Sequence, residues 1–222
     1  MIMRRLFVAV IIAAFAVFIS VDSADAQRGI GRGLYRGMKG PGLGQDHAGG
    51  IVVSSGDPCA GDCTTETQSE EGEYVSNGVL GRYADYAWYA SKFTAASTYY
   101  VCKMNLNIWK NLSPTGNVTA YIYTDNADEP GTQIGDASDP IVASGLGTTN
   151  ASWAMATNIC ASVSNGVSYW IVLYNDTIDA NNYVKPGQSD AGAVEHTMRS
   201  ADGLSWIEAT SDRTFKYEIY KP

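Results

Sequence analysis

From Tyr74 to Pro222 the chain never holds one hydrophobic period for long. Short stretches of alternating apolar and polar residues are cut by turn chemistry every several positions, and this limits the fold more than any other feature. Tyr100, Cys102, Met104, Leu106 and Ile108 alternate with Val101, Lys103, Asn105 and Asn107, the period of two of a half-buried strand. After the turn Ser113-Pro114-Thr115-Gly116-Asn117, Val118, Ala120 and Ile122 alternate with Thr119, Tyr121 and Tyr123, and a second turn runs from Asp125 to Gly131. Further strands are expected at Ile141 to Ser144, Ser152 to Ile159, Ser168 to Tyr174, Asn182 to Lys185, Ala193 to Arg199 and Thr214 to Tyr220. Asn165-Gly166 and Asp202-Gly203 mark tight connections. No window carries a helical stripe of useful length. The pattern predicts an all-β domain, a sandwich or barrel of antiparallel strands.

The first residues set the compartment. Arg4 and Arg5, the apolar run Leu6 to Ile19 and the small-residue site Ala24-Asp25-Ala26 read as a signal peptide over residues 1–26. The run is shorter than the ~20 residues that span a bilayer, so no membrane span is expected after cleavage, and the product is expected to be secreted or held at the cell surface. Residues 27–73 read as a flexible leader. Its first half is rich in Gly and Arg, its second half is acidic, and neither has an apolar period that could pay for ordering so much glycine. The β domain is expected to span residues 74–222.

Four cysteines in an oxidising compartment predict two disulfides, and three pairings are possible. Cys59 and Cys63 are neighbours in a loop, and Cys102 and Cys160 lie in or beside expected strands. Local pairing, Cys59 with Cys63 and Cys102 with Cys160, is the economical choice. With only two histidines, His47 and His196, and no ligand spacing to the cysteines, zinc is not expected. The net charge of −8 disfavours a nucleic-acid partner, which needs a basic face.

Lys92-Phe93-Thr94-Ala95, Ser113-Pro114-Thr115-Gly116-Asn117-Val118, Ile122-Tyr123-Thr124-Asp125, Glu129-Pro130-Gly131 and Gly166-Val167-Ser168-Tyr169-Trp170-Ile171-Val172-Leu173 occur in an order that resembles the choice-of-anchor R domain family. The resemblance runs from about Tyr83 to Tyr220. It implies a jelly-roll-like antiparallel β-sandwich with an extracellular binding, adhesive or structural role, and it supplies no catalytic residues.

The residues themselves offer little catalytic chemistry. Asp136 with Asp139, and Asp125 with Asp128 and Glu129, sit in Gly/Pro turns where aspartate bonds the local backbone. Glu195 and His196 would point to opposite faces of a strand. A hydrolase would need carboxylates brought together from distant loops. Asp125, Asp128 and Glu129 could instead hold a structural calcium ion, although their spacing is not that of an EF-hand. Ser200-Ala201-Asp202-Gly203-Leu204-Ser205-Trp206 is similar to the Asp-box hairpin of sialidase-like propellers, but it is one residue shorter and occurs once, so a hairpin with Trp206 packed beside it is the plain reading.

Fourteen tyrosines and five tryptophans are the remaining signal. Their rings suit sugar stacking and protein contact, and equally strand packing. Tyr121, Tyr123, Tyr183 and Trp206 are the candidate ligand-binding residues. The expectation is a non-enzymatic module for an extracellular polysaccharide, glycoconjugate or surface protein. The alternative is a structural subunit that self-assembles through its leader, in which case deleting residues 27–73 would abolish oligomers and leave the domain folded.

Overall fold

The computed structural model describes residues 57–190, 196–210 and 212–222. The expected signal peptide, the leader up to residue 56 and Glu195 lie outside the described residues. In chain order the strands are β1 (Thr65–Glu70), β2 (Tyr74–Asn77), β3 (Trp88–Thr94), β4 (Tyr99–Val101), β5 (Lys103–Leu106), β6 (Ile108–Asn111), β7 (Asn117–Asn126), β8 (Glu129–Ile134), β9 (Ile141–Val142), β10 (Ala154–Ala156), β11 (Ala161–Val163), β12 (Ser168–Asn175), β13 (Tyr183–Ser189), β14 (Thr197–Ser200), β15 (Ile207–Thr210), β16 (Thr214–Phe215) and β17 (Tyr217–Lys221). No α-helix occurs among the described residues.

Every strand pairing is antiparallel, and the strands form an all-β sandwich. One layer is a seven-stranded sheet in the order β15-β14-β3-β12-β7-β8, with β9 also on β7. The other is assembled from smaller sheets: β1-β17-β5-β10, β16-β13-β2 with β6 on β13, and the pair β11-β4.

The alternation in β7 explains its placement. Val118, Ala120 and Ile122 are fully buried against the opposite layer, so Tyr121 and Tyr123 must face outward. The inner face of the seven-stranded sheet adds Phe93, Ile171 and Leu173, and the other layer answers with Met104, Leu106, Ile108, Val184, Phe215 and Ile219. Each such side chain contributes about 1.5–3 kcal/mol by leaving water. Several polar groups in this core are paired. Ser91 Oγ lies 2.9 Å from Thr214 Oγ1 and accepts the Phe215 N–H at 2.9 Å, tying β3 to β16. Gln188 Nε2 donates to the Tyr89 hydroxyl at 2.9 Å, and burial raises the Tyr89 pKa.

Three expectations are corrected here. First, the folded unit starts before Tyr74. Thr65–Glu70, within the expected leader, pairs with β17 as β1, so the deletion of residues 27–73 would remove a strand of the domain. Second, the disulfides are Cys59–Cys160 and Cys63–Cys102, which replaces local pairing. Both clamp the segment before β1 onto the second layer, at Cys102 between β4 and β5 and at Cys160 before β11. Third, the single strand expected from Tyr100 to Ile108 breaks twice. Val101 is buried and Tyr100 exposed, so the phase reverses at Cys102. At Asn107 the side-chain amide donates to the carbonyls of Asn150 (2.8 Å) and Ser152 (2.9 Å), while the Asn107 carbonyl accepts the Gly187 N–H at 2.7 Å. The chain there leaves β17 for β13.

Candidate functional site: the outer aromatic face

Strands buried on both sides are unusual in an exposed layer, and β12 is one. Ile171 and Leu173 face the core, yet Trp170 and Val172 on the opposite face are also fully buried. They are covered by a second apolar cluster with Ala90, Met198 and Trp206, flanked by half-buried Trp88, Tyr121 and Tyr123. Tyr174 stacks on Trp88 with ring centroids 4.4 Å apart, Trp88 lies 5.6 Å from Tyr121, and Tyr121 meets Tyr123 edge-on at 6.2 Å. Four half-buried rings from β3, β7 and β12 thus form one continuous row across the outer face. Burial raises the pKa of both Tyr121 and Tyr123.

One edge of this face is shaped by the β14–β15 hairpin. Asp202 Oδ1 accepts the N–H groups of Leu204 and Ser205, each at 2.9 Å, and the Ser200 hydroxyl at 3.0 Å, which closes the tight turn. Gly203 has φ +74°, and a Cβ there would stand 2.9 Å from the Trp88 ring, so the turn needs glycine both for its backbone and for its approach to the aromatic row. The hairpin delivers Trp206 onto the sheet.

Beneath the opposite rim is an ionic cluster. Lys92 Nζ is 3.1 Å from Asp125 Oδ1 and is also paired with Asp128, and it lies 5.8 Å from the centre of the Trp170 ring. Trp170 Nε1 donates to Asp125 Oδ1 at 2.8 Å. Burial pulls the Lys92 ammonium down, but the carboxylates of Asp128 and Asp125 outweigh it and hold its pKa above the ordinary lysine value. The Lys92 contact in turn holds Asp128 below the usual aspartate range. Lys92 thus pairs with Asp125 and Asp128, two of the three residues considered above for a structural calcium ion.

Between the two hairpins lies a cleft of about 370 Å³, lined by Asp128 and Glu129 from the β7–β8 turn, Glu208 from β15, and His196, Met198 and Trp206. Carboxylates from two separate hairpins line one cleft here, which local sequence spacing did not reveal. Ala127 and Asp128 hold the turn at φ 53° and 67°.

The other candidates lie apart. Tyr183, on β13, is buried in the opposite layer, with the Arg82 guanidinium 5.2 Å and the Lys185 ammonium 5.7 Å from its ring. Its neighbourhood to a predicted loop did not make it a surface residue, because β13 runs through the middle of its sheets. Asp139 Oδ2 accepts from Thr157 (3.0 Å) and Asn158 (2.6 Å), a turn clamp, and Asp136 lines a separate cleft of about 350 Å³ beside the disulfides. Asp57, Cys59 and Cys160 converge there, but both sulfurs are bonded to each other, so neither is a thiolate ligand.

Compared with models of known protein families, with curated proteins and with solved structures, the chain matches none. Among the described residues no helix is long and apolar enough to cross a membrane, and the two disulfides fit an oxidising compartment.

Proposed function

We propose that this chain is an extracellular binding module that holds a polysaccharide or glycoconjugate along the outer face of its seven-stranded sheet, without turning it over. The observation that carries the reading is the row Tyr174, Trp88, Tyr121 and Tyr123: four contiguous rings, none fully buried, on a rigid sheet. An aromatic surface binds the apolar face of a sugar ring while phenol and indole groups bond its rim. Mounting those rings on paired strands fixes their spacing before the ligand arrives, so little ordering entropy is lost on binding. The signal-peptide pattern and the resemblance to the choice-of-anchor R domain point to the same setting outside the cell.

The test is affinity electrophoresis of the oxidised full chain through gels containing each of a broad panel of polysaccharides. At least one polymer should retard the chain, and Trp88→Ala should relieve that retardation. A saturating panel that retards nothing contradicts the reading.

A further inference from the structure

The cleft at the edge of the aromatic row differs in chemistry from the row itself. Resting on the polysaccharide reading, we infer that it selects sugars carrying a free, protonated amine. Asp128 and Glu129 reach the cleft from the β7–β8 turn, and Glu208 reaches it from β15 at the other end of the sheet. The lysine touching this group, Lys92, already has its charge committed to Asp125 and Asp128. Three carboxylates thus line the cleft, with the Lys92 ammonium against Asp128 and His196 Nδ1 3.9 Å from Glu208 Oε1. Carboxylates lining one cleft bias it to negative potential, which repels an anionic sugar and attracts a cation.

Two further features suit an ammonium group. Trp206 is 8% exposed, and its indole Nε1 has no hydrogen-bond partner among the described residues. A buried donor of that kind gains from an incoming oxygen, such as the hydroxyl beside the amine on an amino-sugar ring. The indole face and Met198 give the cation a polarisable wall. At about 370 Å³ the cleft falls at the small end of ligand pockets, which run from about 300 to 1,000 Å³. Recognition of one residue of a longer chain fits that size, with the aromatic row taking the rest. Glycoside hydrolysis would need one carboxyl kept protonated by a raised pKa. Lys92 does the reverse to Asp128, holding it ionised.

The experiment is isothermal titration of the oxidised full chain with β-1,4-glucosamine oligomers and with fully N-acetylated oligomers of the same length, which share a backbone and differ in the amine. The free-amine oligomer should bind about tenfold tighter or more at low salt, equivalent to 1.4 kcal/mol. In the double variant Glu129→Gln with Glu208→Gln that preference should fall to near unity while the acetylated oligomer binds as before. Equal affinities in the parent chain, or a preference that survives in the variant, would overturn the amine inference and leave the aromatic-face reading standing. Failure of both oligomers, together with an empty polysaccharide panel, would remove both. Release of new reducing ends during the titration would overturn the inference in favour of hydrolysis.

Discussion

At Tyr121 the packing and the proposed chemistry meet in one side chain. Its backbone belongs to a strand whose neighbours Ala120 and Ile122 are fully buried, so the ring is directed outward by the pleat, and Trp88 and Tyr123 then fix its tilt. Removing the ring should therefore weaken glycan binding far more than folding. Tyr121→Ala is expected to lower affinity for a retained polysaccharide by about tenfold, with Tm shifted by only a few degrees, as titration and scanning calorimetry would show. Phe93 is the inward counterpart, fully buried between Tyr169 and Tyr217, and Phe93→Ala should cost about 3–5 kcal/mol in denaturant unfolding. A smaller loss there would mean that the inner core is looser than its burial implies.

At the scale of elements, the chain's own start is the point to test. A fragment beginning at Tyr74 loses β1 from the edge of β17 and leaves Cys102 and Cys160 without their partners Cys63 and Cys59, whereas a fragment beginning at Asp57 keeps both. The shorter fragment should be markedly less stable or unfolded; equal melting of the two would contradict the described pairing. Non-reducing peptide mapping should recover Cys59 linked to Cys160 and Cys63 linked to Cys102, and each bridge is worth about 4–5 kcal/mol in the loop-entropy model for separations of 101 and 39 residues. These same elements mark the limits of sequence reading. β7 and β12 were legible because their instructions are local: strict alternation in one, a continuous apolar run in the other. β1 was not, since Thr65–Glu70 is almost wholly polar and becomes a strand only because β17, some 150 residues on, offers an edge. Nor was the break at Asn107, whose side-chain acceptors lie more than 40 residues away. The outer row could be read in part, through Tyr121 and Tyr123, but Trp88 and Tyr174 join it, and Glu208 reaches the neighbouring cleft, only through strand order, which no local pattern encodes.

For the whole molecule, the carboxylates set an acid limit. Asp128 is held below the usual range by Lys92, Asp176 by the backbone N–H of Asn117, Asp179 by the Asn182 side chain and Asp202 by the N–H of Ser205. At Glu218 burial acts in the opposite direction, but the hydroxyl of Tyr220 and the amide of Asn105 prevail and lower it too. Groups depressed in the folded state stabilise it fully above their unfolded pKa values, near 4, and that contribution is lost as pH falls through the folded values. Tm should thus hold steady from pH 7 to about pH 5 and then drop below about pH 4; a Tm that stays flat to pH 2 would show these contacts to be idle. The central claim, that ligand is held on the outer face of the seven-stranded sheet, is tested most directly by the indole N–H signals in a nitrogen-15 NMR titration with a polysaccharide the chain retains. The five tryptophans divide usefully: Trp88, Trp170 and Trp206 belong to the outer face, Trp109 lies on β6 and Trp153 beside β10. Saturation should shift Trp88 and Trp206 and leave Trp109 and Trp153 in place, whereas movement of Trp109 and Trp153 with Trp88 and Trp206 unchanged would put the ligand on the other layer and contradict the account.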